Sequence, residues 1–226
     1  MSETAQLILN GETYEFPIIE GSEQEKAIDI SKLRTQTGYI TLDYGFKNTG
    51  STQSAITYLD GENGILRDRG YSIEELAENA SFIEVAYLLI YGDLPNAEQL
   101  KYFQEGITHH TLVHENMKRF FEAFPPGAHP MGMLSSMISS LSTFYPESQN
   151  PNRSVVDIEL TIHRLIAKLP TLAAQAYKHN MGHPTVYPSN KLSYCGNFLQ
   201  MMFALPSEEY TVDPIVESAI NKLLIL

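Results

Sequence analysis

Residues 56–95, ITYLDGENGILRDRGYSIEELAENASFIEVAYLLIYGDLP, leave the backbone little choice. Ile56-Thr57-Tyr58-Leu59 leans toward strand, Asp60-Gly61-Glu62-Asn63-Gly64 is made only of turn-compatible residues, and Ile65-Leu66-Arg67 then returns. Ser72 and Glu75 have capping-box spacing, in which a serine hydroxyl takes the amide three residues on, and Tyr71 and Leu76 flank them as a hydrophobic staple. Ser81 and Glu84 repeat the box nine residues later. Gly92 supplies a left-handed stop, and Asn96 with Gln99, just after Pro95, opens another helix. The stretch predicts one hairpin and three short helices with hard boundaries.

The chain of 226 residues is long enough to bury a substantial core as one large domain, or as one domain with a small appendage. Its 27 acidic residues against 15 basic ones give a net charge of −12, which argues against nucleic acid or an anionic membrane as main partner. No apolar run approaches the roughly 18 residues a spanning helix needs. The polar start, Met1-Ser2-Glu3-Thr4, does not read as a signal peptide. Cys195 is the single cysteine, so no internal disulfide forms, and the expected location is a reducing cytoplasm.

Asn10-Gly11 between β-leaning runs predicts a hairpin over residues 6–18. Gly38, Gly45 and Gly50 keep residues 35–55 irregular or in short strands, so residues 1–50 form a small β-containing region and 51–226 a helical one. Val113, Met117, Phe120, Phe121 and Phe124 define one apolar helix face, ended by Pro125-Pro126-Gly127. Pro130 opens a helix rich in Met and Ser whose lack of charge predicts burial on most sides. Ser154 with Asp157 starts the next, its apolar face being Ile158, Ile162, Leu165, Ile166 and Leu169. Pro170 is expected to separate it from an Ala-rich helix over 171–181 that Gly182 stops. Leu192–Phe203 forms another buried helix, in which Gly196 admits a close neighbour, and Asp213-Pro214 caps a last one. That helix closes on Leu223, Leu224, Ile225 and Leu226 without a polar turn, so the chain is expected to continue in a longer protein.

Other chemistry-bearing residues read quietly. His110 and His114, four apart on an expected helix, suggest a metal pair, but the zinc-protease pattern needs Glu where Thr111 stands. Gly182 and Pro184 interrupt the similarly spaced His179 and His183. No metal site is expected. Cys195 on an apolar helix reads as packing rather than nucleophile. Asp60–Gly64 is too short for a calcium loop, and Arg67 and Arg69 read as structural ion pairs as readily as phosphate ligands.

At the level of whole runs the sequence resembles a family. TYLDGENGILRDRGYSIEELA followed by FIEVAYLLIYGDLP resembles the signature of citrate synthase, and LDYGFKNTGSTQSAIT resembles the run leading into it in the bacterial large-subunit, hexameric type. HHTLVHENMKRFFEAFPPGAHPMGML, RLIAKLPTLAAQAYKHNMGHP and YPSNKLSYCGNFLQMMF are similar to the same type in order and spacing. The resemblance implies a mainly α, multi-helical large domain, present in part, with a small N-terminal β element. It implies an acyltransferase of the tricarboxylic acid cycle that joins acetyl-CoA to oxaloacetate without a metal or resident cofactor. The runner-up is a 2-methylcitrate synthase using propionyl-CoA; a helical interaction or regulatory module without chemistry is the third reading.

In that family a carboxylate takes a proton from the acetyl methyl, histidines stabilise the enol and polarise the ketone, and arginines hold the carboxylates. The resemblance places all of these beyond Leu226, so no catalytic residue is assigned and the fragment alone is expected to be inactive. What it carries onto this chain is an allosteric NADH site at His110, Thr111, Leu112, Tyr145, Arg164, Lys168 and Asn190. Arg164 and Lys168, four apart on one helix, have the spacing to share a diphosphate. His109 stands where the family pattern has arginine, Leu112 where it has methionine, and Ser207 where it has cysteine. The resemblance also implies a homodimer or homohexamer.

Overall fold

A computed structural model describes residues 3–226; Met1 and Ser2, half of the polar start noted above, lie outside the described residues. The chain separates into two compact units, Met1–Ala55 and Ile56–Leu226.

In the first unit β1 (Thr4–Leu9) and β2 (Glu12–Glu20) pair antiparallel, with Leu9 opposite Glu12 and Leu7 opposite Tyr14. Asn10 and Gly11 turn the chain with φ of 53° and 87°, both in the left-handed region that Asn and Gly tolerate. A third strand, β3 (Lys26–Ile28), adds to the β2 edge, which the sequence did not announce. A short helix, α1 (Leu33–Thr37), follows, and no strand forms between residues 38 and 56.

The second unit opens with the expected hairpin, β4 (Thr57–Asp60) and β5 (Ile65–Asp68), extended by β6 (Tyr71–Ser72). Ser72 accepts the Glu75 amide and starts α2 (Ile73–Asn79). Full capping boxes at Ser81/Glu84 and Asn96/Gln99 start α3 (Phe82–Tyr91) and α4 (Ala97–Thr108). Local side-chain chemistry thus fixes three helix starts independently of what each helix later packs against.

The remaining helices are α5 (Met117–Glu122), α6 (Pro130–Phe144), α7 (Val155–Met181), α8 (Tyr194–Phe203) and α9 (Pro214–Ile225). The core is organised around α7, which packs against α4, α5, α6 and α8. One cluster joins Met117 and Phe121 of α5 to Met133, Met137 and Leu141 of α6 and Leu172 of α7. A second joins Ile83, Phe103, Ile107 and Ala167 of α3, α4 and α7. A third sets Ile225 of α9 against α2 and α3.

Four helix expectations need correction. First, α5 is six residues long, so Val113 lies outside it, and Phe120 is exposed while Met117 and Phe121 are buried. Second, α6 buries only the stripe Met133, Met137 and Leu141. Its exposed side carries hydroxyls rather than charges, and Ser136, Ser142 and Thr143 donate to backbone carbonyls one turn back.

Third, the expected inner face of α7 is largely its outer one: Ile158, Leu165 and Leu169 are 43%, 44% and 41% exposed. The buried side carries Ala167, Ala174 and Ala176 with His163, Lys168, Thr171 and Lys178. Small residues let α4, α6 and α8 come close, and Lys168, Thr171 and Lys178 find backbone acceptors. Lys178, for example, donates to the Ala204 carbonyl at the end of α8, 2.6 Å away.

Fourth, α7 runs through Pro170 as one helix of 27 residues. Proline has no N–H, so the Ile166 carbonyl loses its helical partner. The Tyr194 hydroxyl donates to that oxygen at 2.9 Å and replaces the missing bond. Gly182, at φ 66°, then ends the helix, and the His183 amide reaches back to the Lys178 carbonyl. Ser193 caps α8, which begins two residues later than expected, and Gly196 lies against the Glu217 carboxylate of α9.

Candidate functional site

The sequence singled out seven residues, and α7 gathers six of them. Where α4 ends at Thr108, the chain continues as an irregular segment, so His110 and His114 are not on one helix. Three side chains hold this segment. Lys168 Nζ donates to the His110 and Leu112 carbonyls, each at 2.6 Å. Thr171 Oγ1 donates to the Thr111 carbonyl between them at 2.8 Å. Thr111 turns its own hydroxyl onto the Thr108 carbonyl. One turn of α7 is therefore stitched to three consecutive peptide groups.

On the other side, Tyr145 ends α6 and leads into a 3₁₀ turn, Pro146–Gln149. The Arg164 guanidinium lies 4.3 Å above the Tyr145 ring centre, and the Lys168 ammonium is 5.5 Å from it. Glu147 in the turn pairs with Arg164. The result is a cationic edge with one aromatic floor and one compensating carboxylate.

Electrostatics follow from crowding. Burial, then Arg164, lowers Lys168 to about 8. Burial, then Lys168 and Arg164, pushes the His110 imidazole below its ordinary value. Burial raises the Tyr145 phenol although Arg164 opposes it. The lowered carboxyl of Glu147 owes most to a backbone hydrogen bond and next to Arg164.

The seven residues are not equivalent. Lys168 is 3% exposed and its ammonium is committed to two carbonyls, so it shapes the edge rather than projecting from it. Arg164, Tyr145, the exposed Leu112 side chain and the half-buried His110 ring are the groups an incoming molecule meets. Asn190 lies exposed in the turn before α8 and shares none of the contacts described for the other six. Glu147 and Thr171 were missed by the sequence reading. Thr171 follows a proline in a helical run, and a hydroxyl there is well placed to stitch a neighbour; nothing local marks Glu147 as the partner of Arg164.

The other sequence candidates are structural. Cys195 is buried on α8, and burial with the nearby Glu217 raises its thiol to about 11. His114 lies tilted against Phe144 with ring centres 5.1 Å apart. Arg69 donates to the Leu89 carbonyl at 2.8 Å. Asp60 accepts the Glu62 and Asn63 amides, as a turn residue does. A cleft of ≈ 370 Å³ opens between α3, α4, α8 and α9, crossed by Asn221, which accepts from the Phe82 amide and donates to the Ala80 carbonyl. Among the described residues no helix is long and apolar enough to cross a membrane.

Short capped helices arranged about one long central helix define a mainly α, multi-helical protein of the type the resemblance implied. The family model for the citrate synthase C-terminal domain matches residues 45–226, and the chain belongs to the citrate synthase family. Among solved structures it is similar to citrate synthase from Pyrobaculum aerophilum, at 27% identity and a TM-score of 0.71 over 99% of this chain and 51% of that one. Citrate synthase from Thermotoga maritima MSB8 matches at 26% identity and a TM-score of 0.66, over 82% of this chain and 46% of that one. Citrate synthase of Thermoplasma acidophilum, in its ternary complex with carboxymethyl coenzyme A and oxaloacetate, shares the fold at 22% identity. Its TM-score is 0.71, over 82% of this chain and 47% of that one. The chain thus spans about half the length of the structures it matches.

Proposed function

We propose that this chain is one half of an acyltransferase that condenses acetyl-CoA with oxaloacetate to citrate and CoA. Membership of the family over residues 45–226 is the observation that carries the reading. In this reaction the acetyl methyl loses a proton to a carboxylate, the resulting enol carbon attacks the ketone, and water cleaves the thioester to free the CoA thiol. The groups for those steps are proposed to lie in the half of the family's length that this chain does not span. The complete protein is proposed to be a cytoplasmic homodimer or homohexamer.

The test is thiol release by the product of the longer gene, with oxaloacetate and either acetyl-CoA or propionyl-CoA. Faster release from acetyl-CoA is expected, and none from residues 1–226 alone. A preference for propionyl-CoA would assign a 2-methylcitrate synthase. No release from either would leave the helical module without chemistry.

A second reading concerns regulation. The stacking of Arg164 on Tyr145 favours an anionic aromatic ligand at this edge, and NADH, with a diphosphate and two bases, has that chemistry. Binding then requires Arg164 to exchange Glu147 for phosphate oxygens. Calorimetry of the complete protein with NADH is expected to show saturable heat that Arg164→Leu abolishes. Heat equal to the buffer control sinks this reading and leaves the enzymatic one intact.

A further inference from the structure

His163 lies one residue before Arg164, on the side of α7 that meets α4, and is 5% exposed. Its imidazole fills a notch made by Gly106: a Cβ there would stand 2.6 Å from Nδ1 and 2.7 Å from Cε1. No other residue type fits that position while the ring stays. Phe103 meets the ring edge-on with centres 5.1 Å apart, and Tyr102 does so at 6.3 Å. The Nε2 atom is buried and has no hydrogen-bond partner among the described residues.

A neutral imidazole tolerates this as an aromatic wedge. An imidazolium does not, because both ring nitrogens then carry protons that need acceptors, and a buried unpaired charge is costly. The charged and titratable surroundings give little help. Glu159, one turn earlier on α7, attracts the charge, yet it already accepts from the Tyr91 hydroxyl of α3 at 3.2 Å. On α4, Tyr102 offers a phenol ring, and Lys101 and Glu105 are exposed and face each other at 4.0 Å. Beyond α4, His110, whose imidazole is pushed below its ordinary value by burial and then by Lys168 and Arg164, is repelled by a charge on His163.

We propose that His163 and Gly106 form an acid-sensitive joint between α7 and α4, closed while the imidazole is neutral and opened when it is protonated. The ring is wedged against Gly106 and Nε2 has no acceptor among the described residues, so when the ring is protonated the two helices part. The His110–Leu112 segment, which continues α4 and is latched by Lys168, is loosened with it. Burial outweighs Glu159 and holds the imidazole below its ordinary 6.5 in the folded chain. The closed form is therefore fully favoured above that value and loses ground as pH falls through it.

Two measurements test the joint in the complete protein. The first follows the His163 ring protons by NMR across pH, which needs no variant. Titration below 6.5 is expected; a midpoint at or above 6.5 overturns the proposal. The second follows amide hydrogen exchange of α4 and residues 109–112, corrected for intrinsic pH dependence. The opening constant is expected to rise between pH 6 and 5, by at most about eightfold, the limit for uptake of one proton by an open form of ordinary histidine pKa. In His163→Phe, which keeps an aromatic wedge without a proton, the profile is expected to be flat, and His163→Leu serves if the larger ring is not accepted. An equal slope in these variants, or protection lost uniformly through α5 and α6, refutes the joint.

Discussion

Lys168 shows how a single side chain can be both a charge and a clamp. Its ammonium spans two carbonyls, and Lys168→Met removes both bonds while keeping most of the chain volume. A loss of about 1.5–3 kcal/mol in urea unfolding is expected, since hydrogen bonds to charged groups contribute in that range. Its pH dependence has a definite sign. The unfolded chain keeps this proton to the ordinary 10.5, whereas the folded chain releases it from about 8. Between those values the unfolded state binds more protons, so stability rises with pH. A neutral amine still has two N–H groups, one for each carbonyl. The stability gap between wild type and Lys168→Met is therefore expected to widen from pH 8 to 9.5; a gap that narrows would mean that the charge, not the donors, holds the segment.

Among elements, α7 departs furthest from what its residues announce. Pro170 reads as a break, and the break is cancelled by a tyrosine on a different helix. Tyr194→Phe is expected to cost about 1–3 kcal/mol, because it strands the Ile166 carbonyl. In a Pro170→Ala background the new amide serves that carbonyl, and the same substitution should cost clearly less. Equal costs in the two backgrounds would show that the hydroxyl matters for another reason. The contrast with α3 and α4 explains which elements were legible. Ser81 with Glu84 and Asn96 with Gln99 act over three residues, so their helix starts are written locally. On α7, apolar residues recur on more than one side, and only the approach of α4, α6 and α8 decides that Ala167 and Leu172 turn inward while Leu165 and Leu169 do not. Glu147 with Arg164, and His163 with Gly106, are pairings across 17 and 57 positions that no periodicity encodes.

At the scale of the molecule, each of the two units has its own three-stranded antiparallel sheet, and the helical core belongs to the second. The family could be read from motif order because whole runs of sequence carry it, while the candidate site could be read only in part. Six of its seven residues converge through contacts that a linear pattern does not display, and Asn190 stays apart. The lone thiol has a practical bearing on the enzymology. Cys195 is 4% exposed and, at about 11, is ionised to about one part in a thousand at pH 8. A disulfide reagent that counts free CoA will therefore see almost nothing of Cys195 while the fold holds. Should α8 come loose during an assay, one slow equivalent of colour per chain appears. In the half spanned by this chain, Cys195 thus serves as an internal standard for its own folded fraction.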